Sequence, residues 1–378
     1  MPRSQAEWQT FSAVRAESAK LWGDLVERHF RIRRRNLKWP SKARWQQWGK
    51  RRYSGLYSQS VQQIIAEFCE AVNSCRQLRK NGQPEAKYPW RKDKFRDVVY
   101  TNQSAVIRNG HLVLPHGKGM GKLRISIRFP LPGRLMEARL CMGHIALVCE
   151  LPDVPRPQQT VIGVDLGVNT LIAATDGKVA VLISGREAKA TVQYRNKKLA
   201  EIAGKQSKKT KGSRKWRRLQ RRKAKMLAKT KRRIRDITHK ATRMVADFFP
   251  GATCYVGKPF NGAAVKMGRL TAQQVSSVCN AKIIFQLDYK TCGAMQVEEA
   301  WTSQTCPVCG ARNKCRRIYR CKQCGLVAPR DVIGGTNILC VGIHGELVHG
   351  RSVPNTVTYK YPVFRRVVPA DTRQVASV

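Results

Sequence analysis

The sequence predicts an α/β core that is interrupted by a small cysteine-rich module and preceded by a helical segment and a group of short strands. Three segments support this prediction: VIGVDLGVNT at 161–170, TCPVCG…YRCKQCG at 305–325 and RDVIGGTN at 330–337. The first and the last each place one aspartate, Asp165 or Asp331, at the edge of an apolar run, and two pairs of cysteines lie between them.

Composition indicates a polyanionic partner. The 378 residues are enough for two or three domains, and 72 Lys and Arg against 24 Asp and Glu give a formal charge of +48. Such a charge opposes compact folding unless a polyanion neutralises it, and nucleic acid phosphates do so with release of counterions. No apolar run is long enough to span a bilayer, and MPRSQAEWQTF lacks the apolar stretch of a signal peptide. The thirteen cysteines therefore indicate a reducing, cytoplasmic setting rather than a disulfide framework.

Residues 1–95 are predicted to form basic helices. Apolar residues recur at helical spacing from Val61 to Cys75. Aromatic side chains among cations can stack on nucleobases. We nevertheless expect most of the early aromatics to anchor the cores of small helices; they are Trp8, Phe11, Trp22, Trp39, Trp45 and Trp48.

Residues 96–155 are predicted to form a small β-barrel of the oligonucleotide-binding type. AVIRNGHLVLP contains two β-prone runs around Asn109-Gly110, a strong hairpin signal. LRISIRF at 123–129 alternates apolar and basic residues, so one strand face is buried and the other is cationic. A second hairpin is predicted around Gly143, and several short strands with a basic face are typical of such barrels.

After a proline-rich link from Pro152 to Pro157, residues 158–342 are predicted to form the α/β core. TVIGVDLG, NTLIAATDG and KVAVLIS are three sequential strands with an aspartate on the first, which is the opening of an RNase H-like sheet. ATCYVG and AMQVEEAWT predict two further strands, with a helix between them over 269–293. Residues 343–378 contain no interpretable pattern, and we expect them to form a disordered tail.

A basic segment at 195–249 is predicted to form one long helix, because RKWRRL…ADFF contains neither Pro nor Gly. Charge repulsion along such a helix is severe without a partner, so we expect it to contact nucleic acid backbone. The residues expected to do so are Arg214, Lys215, Arg217, Arg218, Arg221, Arg222, Lys225, Arg232 and Arg233.

The cysteines at 302–328 predict a structural zinc site. Cys306-x2-Cys309 and Cys321-x2-Cys324 are separated by eleven residues, and each pair aims two thiolates at one ion. Zn²⁺ takes four such ligands tetrahedrally in closed structural sites. Cys315, inside the loop, is expected to be a spare thiol.

Asp165 and Asp331 are candidates for metal-assisted phosphodiester hydrolysis. Carboxylates that hold two divalent ions about 3.5–4 Å apart activate water and stabilise the leaving oxygen. Mg²⁺ prefers such hard oxygen ligands. Asp331 alone is also compatible with a helix N-cap.

Together, GVDLGVNT, DITHKATR, the cysteine ribbon and RDVIGGTNIL resemble the TnpB (OrfB) family of transposon-encoded proteins, relatives of the small type V CRISPR effectors. The resemblance covers roughly 160–340. It implies an RNase H-like (RuvC) core, a zinc-ribbon insertion that binds target nucleic acid, a wedge-like β-barrel and a helical recognition lobe. It also implies RNA-guided cleavage of double-stranded DNA in a prokaryotic, nucleoid-associated setting, with guide RNA and target DNA as partners. Asp165 would be the first catalytic carboxylate and Asp331 the third.

The middle carboxylate departs from the family pattern, because Gly257 stands where the family has glutamate at the end of TCYVGKPF. In one interpretation the acid has moved to Glu298 or Glu299, on a neighbouring strand about 4.8 Å away. Alternation along the strand puts Glu298 and Glu299 on opposite faces. We select Glu299 as the middle carboxylate, and Asp288 is a less favoured candidate. In the other interpretation the acid is lost, and the protein is a nuclease-dead, RNA-guided DNA-binding repressor. Ile333, where the family often has asparagine, is a second departure.

Two further functions fit less well. A transposase that transfers strands directly would use a Tyr nucleophile beside paired histidines, and the sequence shows no convincing arrangement of this kind. A zinc-ribbon RNA-binding factor leaves the pairing of Asp165 with Asp331 unexplained.

Overall fold

The computed structural model describes residues 5–50, 52–141, 144–151, 160–258, 268, 272–274 and 279–362. The chain divides into two compact units, Met1–Val154 and Pro155–Val378, which are described separately. Within the described ranges, no helix has both the length and the apolar character needed to cross a bilayer.

Three helices open the first unit: α1 (Gln5–Arg34), α2 (Lys42–Gly49) and α3 (Ser58–Lys80). The apolar face predicted for α3 is buried, including Ile64, Ile65 and Phe68. Most of the early aromatics are core anchors as predicted, with Trp22 and Trp45 buried. Trp8, by contrast, is 43% exposed.

The remaining elements of this unit are short strands: β1 (Val98–Thr101), β2 (Val106–Arg108), β3 (His111–Pro115), β4 (Lys122–Ser126), β5 (Arg134–Cys141) and β6 (His144–Glu150). They form two antiparallel three-stranded sheets, β1-β5-β6 and β2-β3-β4, whose apolar faces share one core with the helices. The predicted hairpin at Asn109-Gly110 is confirmed, with φ of 49° and 69° at the two turn residues. The turn at Gly143 and the link from Pro152 to Pro157 lie outside the described residues. Closure of the strands into a barrel stays a prediction.

The second unit is built on a six-stranded sheet: β7 (Thr160–Leu166), β8 (Thr170–Thr175), β9 (Val179–Ser184), β10 (Ala252–Lys258), β11 (Ala294–Glu298) and β14 (Thr356–Lys360). The strand order is β11-β10-β7-β8-β9-β14. Strands β7 to β9 are antiparallel, whereas β10 and β11 run parallel to β7. The first five strands in this order have the arrangement of an RNase H-like sheet. Two small strands of the cysteine module, β12 (Ile318–Arg320) and β13 (Val327–Pro329), pair with each other.

Four helices belong to this unit: α4 (Arg186–Ser207), α5 (Arg214–Phe248), α6 (Asn280–Lys290) and α7 (Arg330–His344). Ile162 and Val164 of β7 share a core with residues of α5 and α6. Because side chains alternate along a strand, Gly163 and Asp165 belong to the other face, where α7 packs. Within the helix predicted over 269–293, residues 272–274 and Asn280–Lys290 are helical; Val275 and Val278 lie outside the described residues.

The prediction of one helix over 195–249 is wrong. Two helices, α4 and α5, are separated at residues 208–213. Gly212 has φ of 85°, which a regular helix does not allow, and the Ser213 side chain accepts from the Trp216 N–H as an N-cap.

The prediction of a disordered tail from residue 343 is also wrong up to residue 362. Helix α7 continues to His344, and β14 pairs in parallel with β9 over five residues. Val357 of β14 is buried, and this burial stabilises the strand at the sheet edge. Residues 363–378 lie outside the described residues.

Candidate active site and metal centre

Glycines bring helix α7 onto the sheet face that carries Asp165. A Cβ built at Gly163 would lie 2.1 Å from the Gly335 carbonyl oxygen, and one at Gly334 would lie 2.7 Å from Asp165 Oδ2. Side chains at these positions would push the helix away, so the glycines allow its close approach. Asp331 is three residues before Gly334, on the same helix face. Asp165 and Asp331 are thereby brought together, as the sequence predicts.

Glu299 reaches the same place from the sheet edge. Strand β11 pairs with β10 so that Gly257 is opposite Val297 and Lys258 is opposite Glu298. Glu298 is exposed, whereas Glu299 lies two residues beyond Val297 and is partly buried. A Cβ built at Gly257 would lie 2.7 Å from Glu299 Oε2 and 3.2 Å from Glu299 Cβ. The Glu299 carboxylate therefore occupies the space beside Gly257.

Asp288, the remaining candidate, is used differently. Its Oδ1 accepts from the Ala294 N–H at 3.0 Å, which stabilises the turn between α6 and β11. Its carboxylate has a local structural role in that turn.

The electrostatics of Asp165 show that the three carboxylates interact. Burial, together with the negative charges of Asp331 and Glu299, raises the pKa of Asp165 to about 7; Arg330 and the Leu166 N–H act in the opposite direction. Some of the Asp165 side chain remains accessible, although protein surrounds the carboxylate closely. The charges of Asp331 and Glu299 thus act on Asp165, and carboxylate oxygens are the hard donors that a divalent cation such as Mg²⁺ prefers.

The turn that follows Glu299 is held by backbone and side-chain hydrogen bonds. The Thr302 hydroxyl donates to the Glu299 carbonyl at 2.9 Å. The buried Asn337 amide donates to the carbonyls of Thr302 at 2.7 Å and Thr305 at 2.8 Å, which ties α7 to this turn. Sequence reasoning missed the role of Asn337, although it ends the RDVIGGTN motif.

The four predicted zinc ligands converge. The Sγ atoms of Cys306 and Cys324 are 3.5 Å apart, those of Cys309 and Cys321 are 3.4 Å apart, and all four lie within 4.8 Å of one another. Disulfide sulfurs would be about 2.05 Å apart, whereas four thiolates around one Zn²⁺ at about 2.3 Å are about 3.8 Å apart. The cysteines therefore fit a tetrahedral Zn²⁺ site. Cys315 instead lies 3.7 Å from the Arg320 carbonyl, which is compatible with a spare thiol.

The thiol environments differ across this cluster. Burial raises the pKa of Cys306 to about 12. Burial also opposes ionisation of Cys321, but hydrogen bonds from the N–H groups of Cys324 and Gln323 and from the thiols of Cys309 and Cys324 together outweigh it and lower the pKa of Cys321 to about 6.

The segment after α7 contacts the first cysteine knuckle. The Gly350 N–H donates to Val308 O at 2.8 Å and the Arg351 N–H to Pro307 O at 3.1 Å. The His349 ring lies against Gly310, 3.1 Å from a Cβ built there. His349 is thus a packing residue of the ribbon.

Helix α5 presents the predicted basic surface. All nine residues selected from the sequence are exposed; they are Arg214, Lys215, Arg217, Arg218, Arg221, Arg222, Lys225, Arg232 and Arg233. Arg233 also forms an ion pair with Glu187 of α4. Leu219 and Met226 are half-buried, as expected of the thin apolar stripe between the basic residues.

Comparisons with known proteins agree with this architecture. Residues 145–250 match the OrfB family model, described as a "Probable transposase", and residues 281–338 match the "Cas12f1-like, TNB domain" model. A protein of Streptomyces pristinaespiralis named "Putative RNA-guided DNA endonuclease" is 27% identical over 275 residues, covering 68% of this chain and 65% of that protein, slightly less than two thirds of its length. The cryo-EM structure of a Cas12f1–sgRNA–target DNA complex matches with a TM-score of 0.57 at 13% identity, over 89% of this chain and 83% of the other.

The sheet order and the four-cysteine cluster define an RNase H-like core with a zinc-ribbon module. The Cas12f1 likeness supports this fold class. The chain is similar to TnpB-like proteins: residues 145–250 match the OrfB model and residues 281–338, which include the cysteine ribbon, match the Cas12f1-like model.

Proposed function

We propose that this protein is an RNA-guided endonuclease that cuts target DNA by metal-assisted hydrolysis of phosphodiester bonds. The observation that carries the proposal is the position of the Glu299 carboxylate in the space beside Gly257, where its charge acts on Asp165 together with that of Asp331. The similarity to a relative named as an RNA-guided DNA endonuclease supports the guide-dependent part.

Asp165, Glu299 and Asp331 would hold the divalent ions, most simply two Mg²⁺. When bound, such ions would supply Lewis-acid chemistry at the scissile phosphate and would help to activate the attacking water. The three side chains come from a central strand, the turn after an edge strand and the first turn of α7, so packing of the whole core sets their spacing. Arg330, next to Asp331, partly offsets their negative charge.

Nucleic acid would be held largely by charge. The nine exposed cations of α5 would contact phosphates, a sequence-independent interaction that weakens with salt. Pairing between guide RNA and target DNA would supply sequence recognition. The zinc ribbon, the strands of 96–155 as a wedge-like barrel and the helices of 1–95 as a recognition lobe would complete the complex. Its setting would be the prokaryotic cytoplasm, at the nucleoid.

The alternative is a nuclease-dead, RNA-guided DNA-binding repressor, and Gly257 is the residue that favours it. This protein would share every binding feature and differ only in the middle carboxylate. The two functions therefore differ in whether Glu299 supplies the middle catalytic carboxylate.

The deciding experiment is plasmid cleavage in Mg²⁺ by the full chain. The chain is loaded with the RNA that copurifies with it, after the guide segment of that RNA has been changed to match the plasmid. Wild type is compared with Asp165→Ala, Glu299→Gln and the matched control Glu298→Gln. We expect the first two variants to lose about 100-fold or more in cleavage rate and Glu298→Gln to resemble wild type. Guide-dependent binding by a wild type that never nicks would establish the repressor instead. Normal cutting by Glu299→Gln would show that another residue is the middle carboxylate.

Metal binding provides a readout that does not require cutting. Mn²⁺, followed by its electron paramagnetic resonance signal, should bind the wild type and the Glu298→Gln variant. Its affinity should fall in Asp165→Ala and Glu299→Gln because each loses a carboxylate from the donor set.

A further inference from the structure

Trp301 has a left-handed backbone conformation that its side chain disfavours. Its φ is 63°; the other described non-glycine residues with positive φ are Asn36 and Asn109, both at 49°. Asparagine tolerates this region, but a bulky residue there is an outlier, because its Cβ crowds the following carbonyl. An outlier of this kind, immediately beside a candidate active site, points to a role for the side chain.

The turn itself does not require tryptophan. The Trp301 carbonyl accepts from the Gln304 N–H at 2.9 Å and the Thr305 N–H at 3.0 Å, and the Thr305 hydroxyl also donates to it at 3.1 Å. These contacts use only backbone atoms of residue 301. Glycine or asparagine would keep them at lower steric cost. The reason for an indole therefore lies outside the turn's hydrogen bonding.

Nor is the indole a core residue. It is 52% exposed, so burial accounts for little of its presence. The Arg312 guanidinium lies 4.8 Å from the ring centroid, which places a cation beside an accessible aromatic face. Aromatic faces paired with arginine are the elements that bind single-stranded nucleic acid by stacking and charge.

The same turn carries the candidate carboxylate. Glu299 is two residues before Trp301, and the Glu299 carbonyl accepts from both the N–H and the hydroxyl of Thr302. Asn337 holds the far side of the turn. The indole and the carboxylate are thus fixed on one short, well-bonded segment.

We propose that Trp301 stacks on a nucleobase of the target DNA strand and so positions the adjoining phosphate at Asp165, Glu299 and Asp331. This inference rests on the proposed function. It adds a substrate-positioning residue to that site, with Arg312 supporting the ring and offering charge to the neighbouring phosphate.

The test measures stacking separately from cutting. The zinc-loaded full chain is titrated with a dye-labelled single-stranded DNA and with an abasic version of the same strand, in high salt to suppress phosphate contacts. Variants are Trp301→Ala, Trp301→Asn and Trp301→Phe. Trp90→Ala serves as the matched control, because Trp90 is 60% exposed with Arg91 near its ring. Thermal midpoints are recorded for every variant.

Trp301→Ala and Trp301→Asn should weaken binding of the intact strand by about 5- to 100-fold and leave the abasic strand unchanged. Trp301→Phe should retain most of the affinity, and Trp90→Ala all of it. Trp301→Asn should keep or raise the thermal midpoint, because asparagine accepts the left-handed conformation.

Equal weakening of both strands, no weakening, or loss of affinity only together with a lower thermal midpoint would overturn the proposal. An effect seen with the corresponding RNA and not with DNA would also overturn it. Asp165→Ala separates failure of this inference from failure of the proposed function. This variant should bind the intact strand as tightly as wild type does, although it cannot cut DNA. Stacking without guided cleavage by wild type contradicts the proposed function, and guided cleavage without base-dependent binding contradicts this inference.

Discussion

Gly257 and Glu299 compete for one volume in the candidate active site. A Cβ built at Gly257 would lie 2.7 Å from Glu299 Oε2, closer than nonbonded atoms approach. The two residues lie on neighbouring parallel strands, with Gly257 opposite Val297. Absence of a side chain at 257 is therefore the condition for a carboxylate from 299 to reach Asp165.

Gly257→Ala should impair cutting more than folding. The new methyl group would meet Glu299 Oε2 and Ile338 Cδ1, which are ends of side chains that can move, and would lie 3.2 Å from Glu299 Cβ, which has to shift slightly; we expect a loss of about 1–2 kcal/mol in unfolding free energy. Moving the Glu299 carboxylate should lower the cleavage rate by at least about tenfold. Urea denaturation and guided cleavage measure the two effects. Gly204→Ala, where a Cβ would meet nothing within 4 Å, is the control; equal losses in both variants would contradict the explanation.

Gly257→Glu combined with Glu299→Ala should recover activity that Glu299→Ala alone loses. The double variant places a carboxylate on β10 and removes Glu299 Oε2, the nearest atom a new side chain would meet; Ile338 Cδ1, at 2.8 Å, has to move, and the Cβ retained at position 299, at 3.2 Å, has to shift slightly. Guided plasmid cleavage compares the two variants and Gly257→Glu in the wild-type background. If the double variant is as inactive as Glu299→Ala, the carboxylate at 299 does not substitute for one at 257.

Asp165 should make the magnesium-free protein less stable as pH rises. Its folded-state pKa of about 7 is above the usual value near 3.9, so the fold favours the protonated form. The stabilisation is fully present below about pH 4 and is lost as pH rises to 7, amounting to at most about 4 kcal/mol. As pH rises from 5 to 8, the thermal midpoint of wild type should fall. The midpoint of Asp165→Asn should fall less over the same range. Added Mg²⁺ should restore the thermal midpoint of wild type at high pH and should change that of Asp165→Asn less. Parallel curves for both proteins would contradict the assignment.

Zinc should be present at one ion per chain and should be necessary for the ribbon fold. Cys309→Ser removes one of four converging thiolates, whereas Cys315→Ser changes a cysteine outside the cluster. Elemental analysis should show zinc loss in the first variant and full content in the second. Chelation of wild type should expose the ribbon to proteolysis, since metal binding contributes folding free energy there. Retention of zinc by Cys309→Ser would contradict the site.

His29 should destabilise the first unit in acid. It is 1% exposed, neither ring nitrogen has a hydrogen-bond partner among the described residues, and aromatic rings surround it. Burial lowers its pKa to about 4, with Arg33 and Arg76 adding to the effect. The unfolded chain therefore binds more protons between pH 6.5 and pH 4, and stability should fall as pH falls through this window, by roughly 3 kcal/mol. His29→Phe should reduce the loss relative to wild type in urea denaturation at pH 5. His144→Gln, at an exposed position, should leave it unchanged.

Features encoded over a few residues were predictable. The hairpin at Asn109-Gly110 follows from residues that accept positive φ, and the spacing of Cys306, Cys309, Cys321 and Cys324 follows from the geometry of two metal knuckles. Gly212 and Ser213 also carried a local signal for the break between α4 and α5, which the density of basic residues obscured.

The sequence by itself determined the four-cysteine cluster and the hairpin at Asn109-Gly110, because each depends on residue chemistry at short spacing, and it selected Asp165 and Asp331 as candidates. Only the tertiary structure decided that Glu299 rather than Glu298 faces Asp165. That choice depends on the register of β11 against β10 and on the glycine contacts of α7, which join segments far apart in the chain. Likewise, the β-branched and aromatic residues of β14 favour a strand, but its position beside β9 depends on a sheet edge that forms only when the sheet folds.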